Sequence, residues 1–235
     1  LTYDIGVDAV MNAASRAGIP DDTPGIQRNL TFVLGTASPH PLDVASAYST
    51  FAARGVHADP YTIKEILSAN GGVIYQAAEH TDVAFDEAVA DTVNAALKKV
   101  VTDGTGFEAR KVGRPVAGKT GTTDNNMSAW FTGYAPNLAA SVMLVKEDAN
   151  GKPVTLKGTG GLSTVTGGSF PARIWTAFMK AALKDVPVEK FHLPKLPTGS
   201  DTAAPTDTAI PTDTAIPTDS ASPSTSSGDA AQPVA

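Results

Sequence analysis

KTGTTDNNMSAWFTGYAPNLAASVML, residues 119–144, is the stretch whose reading decides the fold. Two strand-like runs, SAWFTGYA (128–135) and LAASVMLVK (138–146), are separated only by Pro136-Asn137, and a third, RPVAGKTGTT (114–123), joins them through the polar Asp124-Asn125-Asn126. Strands with joints this short return beside their predecessor, which predicts a three-stranded antiparallel meander. Side chains alternate along a strand, so Lys119 and Gly121 fall on one face and Thr120 and Thr122 on the other. A glycine at 121 lets a ligand or another backbone approach closely. An edge strand of this kind can pair with an extended peptide, with a hydroxyl and an ammonium at hand for its carboxylate. The same lysine also completes GRPVAGKT (113–120), a literal match to a phosphate-binding loop. Such a loop follows a buried strand and opens a helix, whereas GFEARKV before the match is charged and GTTDN after it is a poor helix start.

Working outward, residues 7–17 put Val7, Val10, Met11, Ala14 and Ala17 on one helical face, and Gly18 with Pro20 ends the helix. Residues 21–31 read as loop. Pro41 opens a second helix, PLDVASAYSTFAAR, with Leu42, Ala45, Tyr48, Phe51 and Ala52 as its buried stripe and Gly55 as its cap. YTIKEIL (61–67) and VIY (73–75) flank Asn70-Gly71-Gly72 as a hairpin. Asp86 starts a third helix, with acids in its first turn and Lys98 and Lys99 in its last. Residues 158–168 form a glycine-rich loop that could flank the cleft opposite the 119–122 strand, although a mobile loop is the safer reading. Pro171 then opens the last helix. Helices followed by a meander and a closing helix make an α+β protein.

Composition separates the rest. Of 17 prolines in 235 residues, five fall in 198–235, where the PTDTAI unit repeats from Pro205 and no Lys, Arg, Phe, Trp or Tyr occurs. A segment so poor in apolar side chains cannot offset its chain entropy and is expected to be disordered. Its five aspartates carry most of the net charge of −6, leaving residues 1–197 nearly neutral, which argues against a nucleic-acid partner held by bulk charge. The absence of cysteine excludes disulfides and Cys-ligated metal. His40, His57, His80 and His192 have no metal-ligand spacing. The acid pairs Asp21-Asp22 and Glu147-Asp148 read as solvated turn charge, and no metal or other cofactor is expected.

With its neighbours, the 119–144 stretch resembles the third active-site motif and following hairpin of class A penicillin-binding proteins, in which the KTG box marks a serine acyl-transfer site. LGTASPHPLDVASAYSTFAARGVHADPYTIKEI (34–66) is similar to that family's segment between its second and third motifs, and GGSFPARIWTAFMKAAL (167–183) to its closing helix. The resemblance implies part of a penicillin-binding transpeptidase fold, related to serine β-lactamases, with an antiparallel sheet and flanking helices over 1–197. It implies that Lys119 supports proton transfer, that Thr120 and Thr122 hold the carboxylate of a D-Ala-D-Ala stem peptide or of a β-lactam, and that Gly121 leaves room for it. The backbone N–H of Thr122 would complete an oxyanion hole. Trp130 is read as packing under the sheet. The family's nucleophile lies in an SxxK box, yet no Ser here is followed three residues later by Lys. Ser68-Ala69-Asn70 has the form of the second box but reads as turn chemistry. The expectation is therefore the C-terminal portion of a D,D-transpeptidase domain, inactive alone, with the nucleophile, a glycosyltransferase domain and a membrane anchor upstream, acting at the outer face of the bacterial membrane. A non-catalytic penicillin-fold module that binds peptide or wall is the alternative; a nucleotide-binding loop is a more remote one.

Overall fold

The computed structural model describes residues 2–194; the proposed tail at 198–235 lies outside the described residues. The two-residue turn at Pro136-Asn137 folds Ser128–Ala135 onto Leu138–Val145, and Ala117–Thr122 pairs with the other side of Ser128–Ala135. Counting strands from the N-terminus, these are β5 (Ala117–Thr122), β6 (Ser128–Ala135) and β7 (Leu138–Val145), in the antiparallel order β5-β6-β7. β5 starts three residues later than the sequence predicts. Arg114 there reaches the carbonyls of Leu183 and Val186 (2.6 and 3.1 Å), tying the strand entrance to the chain after the last helix.

The remaining elements are helices α1 (Thr2–Ile5), α2 (Val7–Ala17), α3 (Pro41–Ala52), α4 (Glu87–Thr102) and α5 (Phe170–Ala182), with two small antiparallel pairs. One pairs β1 (Val56–Ala58) with β4 (Thr81–Val83), the other β2 (Glu65–Leu67) with β3 (Val73–Gln76). The Ser68-Ala69-Asn70 segment is the turn of the second hairpin. The Ser68 hydroxyl lies 2.8 Å from the Gly72 carbonyl and 2.5 Å from Asn70 Oδ1.

Helices cover both faces of the meander. On one face, α5 buries Trp175 and Met179 against Phe131, with Val101 and Ala109 beside them. On the other, the fully buried Tyr134 packs edge-on to Tyr48 and Phe191. Its hydroxyl donates to Asn94 Oδ1 (2.6 Å), and Asn94 donates in turn to the Phe51 carbonyl (3.0 Å). A single polar chain thereby links β6, α4 and α3 in a site where an unpaired hydroxyl would be costly.

The stripe predicted for α3 needs one correction. Leu42 is 57% exposed, and the buried positions are Ser46, Ala47 and Thr50. Thr50 is buried because its hydroxyl donates to the Ala17 carbonyl (2.8 Å) at the end of α2. A polar side chain with a backbone partner thus joins the buried face, while Tyr48, Phe51 and Ala52 of the predicted stripe pack against the Tyr134 cluster. The helix end also differs: the cap is Ala53, and Arg54 takes a left-handed conformation (φ 55°) before Gly55.

Arg54 uses that conformation to reach α4, donating to both carboxylate oxygens of Asp91 (3.2 and 2.9 Å) and pairing with Glu87. The guanidinium holds the mostly buried Asp91 carboxyl below the usual carboxylate range, chiefly through these hydrogen bonds. Its pKa is thus lower folded than unfolded, where it is about 3.9. The stability contributed is fully present above that value and lost as pH falls through the lower folded one. Asp91→Asn is expected to lower the melting temperature at pH 7, with the gap to the unmodified chain narrowing below about pH 4 in thermal melts across pH. A gap that stays constant into acid would show that the pair is not the cause.

Candidate active site

Lys119, Thr120, Gly121 and Thr122 lie consecutively on β5, at the edge of the meander. The register pairs Lys119 with Thr132 and Gly121 with Trp130, so these share one face, while Thr120 and Thr122 share the other with Phe131 and Ala129. The alternation expected from sequence is therefore present, and it divides the four residues between two environments.

On the first face Lys119 is exposed and its Nζ donates to the Thr120 carbonyl (2.9 Å). Behind it, Thr132 and Ser141 share a hydrogen bond between their hydroxyls (2.7 Å). Trp130 is half-buried beneath Gly121, where a Cβ would approach its own Cβ to 3.3 Å, and its indole N–H donates to Ser128 Oγ (3.1 Å).

The second face opens into a cavity of about 740 Å³, lined among others by Thr105, Phe107, Thr120, Thr122, Gly167 and Arg173. The Thr120 hydroxyl is hydrogen bonded to that of Thr105 (2.7 Å), and Thr122 Oγ1 accepts from the Gly167 N–H (3.2 Å). Lys119 does not line this cavity. Glu108 and Lys111 do, paired at 2.8 Å.

The loop that supplies Gly167 is held by Asn126, one of two successive residues with positive φ in the Asp124-Asn125-Asn126 joint. The buried Asn126 amide donates to the Val165 carbonyl (2.6 Å) and accepts from the Val165 N–H (3.0 Å), as a neighbouring strand would. Gly167 then sits so close to the sheet that any side chain would meet the Trp130 carbonyl and, at 2.8 Å, that of Gly121. The final residues of the 158–168 loop therefore lie directly against the 119–122 strand, not opposite it as the sequence suggests, because Asn126 clasps Val165 beside that strand. The loop backbone is pinned there.

The phosphate-loop reading does not fit this geometry. Residues 107–112 before the match form a 3-10 helix, Lys119 and Thr120 lie within a strand, and a three-residue 3-10 turn follows in place of a helix. Backbone N–H groups committed to a strand cannot form an anion cradle at a helix start. Sequence reasoning missed Thr105, Asn126 and Arg173. Only TDGTG around Thr105 and the paired asparagines carried a local signal, and it pointed to turns.

Residues 2–163 match the family described as the penicillin binding protein transpeptidase domain. The chain is 35% identical over 208 residues to penicillin-binding protein 1A of Mycobacterium tuberculosis, covering 80% of this chain and 25% of the relative. It superposes on the solved structure of the penicillin-binding protein PonA1 from Mycobacterium tuberculosis with a TM-score of 0.69 at 32% identity, covering 82% of this chain and 54% of that one. The structure of PonA1 in complex with penicillin V gives a TM-score of 0.65 at 32% identity, over 81% and 54% of the two chains. This chain spans about a quarter of the length of the curated relatives it matches.

Proposed function

The chain belongs to the penicillin-binding protein transpeptidase family, and on that premise we propose that it supplies the KTG side of a D,D-transpeptidase site acting on stem peptides that end in D-Ala-D-Ala. The observation that carries this reading is the edge strand β5, whose two faces present an exposed ammonium and a pair of cavity-lining hydroxyls. A peptide laid along that edge meets both. The nucleophile is a serine outside this sequence, in an SxxK box, since no such box occurs among the 235 residues.

In this reaction the serine hydroxyl adds to the carbonyl of the penultimate D-Ala. Its proton passes through the site to the departing amine of the terminal D-Ala, leaving an acyl-enzyme that a second stem-peptide amine resolves. Lys119 raises the positive potential beside the nucleophile and supports that proton movement. Thr120 and Thr122 hold the substrate carboxylate, and the Thr122 N–H stabilises the developing oxyanion. A β-lactam acylates the same serine. The reaction takes place in the cell wall, on the outer side of the bacterial membrane, with the anchor and a glycosyltransferase domain in the upstream part of the protein.

A fluorescent penicillin tests the proposal. The protein that joins this chain to its SxxK segment is expected to become covalently labelled at that serine, whereas the 235-residue chain alone stays unlabelled. Labelling of the chain alone would place the nucleophile within it and overturn the assignment. A joined protein that folds but takes no label would favour a binding module without chemistry.

A further inference from the structure

The hydroxyls of Thr120 and Thr122 face a cavity that Lys119 does not enter. A carboxylate held there by hydroxyls alone would lose part of its hydration without a countercharge, which is unfavourable for an ion. Two cations line the cavity, Lys111 and Arg173. Lys111 is already neutralised, with its ammonium 2.8 and 2.9 Å from the two oxygens of Glu108. Arg173 lies in the first turn of α5 and takes part in none of the ion pairs among the described residues. Its guanidinium carbon sits 5.4 Å from the centre of the Phe170 ring. That ring packs against the buried cluster of Ala129, Leu156 and Val165, so it forms a firm platform. Cation–π contact orients a guanidinium while leaving its N–H fork for another partner.

We propose that Arg173 is the specificity-determining cation of the cavity, pairing with the C-terminal carboxylate of the peptide that Thr120 and Thr122 hold. The inference rests on the peptide reading of β5 given above. It divides the two charges of the site by strand geometry: Lys119 on one face serves the reacting carbonyl, and Arg173 across the other serves the carboxylate. The ligand class is a peptide with a free C-terminal carboxylate, and by the same chemistry the carboxylate of a β-lactam.

The test compares diacetyl-L-Lys-D-Ala-D-Ala with its C-terminal amide, each titrated into the protein that joins this chain, unmodified or substituted, to its SxxK segment, with the serine of that box replaced by alanine so that no acylation intervenes, and followed by calorimetry. The unmodified chain is expected to bind the acid about tenfold more tightly than the amide, as a charge-assisted hydrogen bond allows. Arg173→Ala is expected to bind the acid as weakly as the amide, with the affinity for the amide unchanged, which also reports an intact site. Arg173→Lys should restore part of the preference. If Arg173→Ala keeps the preference, or Lys119→Ala removes it, the assignment of Arg173 is wrong and the peptide reading stands. If the unmodified chain binds acid and amide alike, the peptide reading itself fails.

Discussion

Lys119→Ala is expected to slow acylation by a fluorescent penicillin about a hundredfold or more in the protein that joins this chain to its nucleophile. Removing a preorganised charge from an acyl-transfer site has effects of that size, and a hundredfold corresponds to about 2.7 kcal/mol of transition-state stabilisation. The structure makes the change specific to chemistry. The Lys119 side chain is exposed, its ammonium donates to the adjacent Thr120 carbonyl, and the core clusters on both faces of the sheet omit it. The melting temperature should therefore move little while the labelling rate collapses. Lys119→Arg keeps the charge but spreads it over a planar fork, and should recover only part of the rate. An unchanged labelling rate in Lys119→Ala would remove Lys119 from the mechanism.

The second large effect concerns the sheet that carries the site. Trp175→Ala is expected to cost about 3–5 kcal/mol, a large part of the stability of an ordinary domain. Trp175 is fully buried, and its indole N–H points at two carbonyls, Gly133 on β6 (3.2 Å) and Ala140 on β7 (3.1 Å). Its ring meets Phe131 edge-on, with centroids 5.0 Å apart. Gly133 is a glycine for the same reason, since a Cβ there would come within 2.9 Å of Trp175 Cζ2. Truncation leaves a cavity and removes the donor from both carbonyls. Chemical denaturation should show the loss, with Trp175→Phe intermediate because it fills most of the volume but leaves the carbonyls unpaired. Equal stability of Trp175→Ala and the unmodified chain would mean that α5 does not hold the meander.

Much of this architecture was legible because its signals are local. The helix at residues 7–17 and the strand at 128–135 have the predicted limits. Apolar spacing and the punctuation by Gly18, Pro41 and Pro136-Asn137 act within a few residues of where they appear. The antiparallel meander followed from short joints, and the α+β class from the helices that precede and close it. The exposed Leu42 and buried Thr50 were not legible, because the partner of Thr50 is a carbonyl 33 residues away.

The candidate site divides in the same way. Sequence by itself determined that Lys119 and Gly121 oppose Thr120 and Thr122, since the period of a strand is a property of the backbone. It also determined the family resemblance, through the run from Lys119 to Leu144. Only the tertiary structure decided what each face meets. Thr105 reaches Thr120 across 15 residues, Gly167 reaches Thr122 across 45, and Arg173 enters the same cavity from a different helix. Those meetings depend on sheet register, on the Asn126 clasp and on the docking of α5 through Trp175. Such contacts are set by packing between distant segments, and no local pattern of residues encodes them.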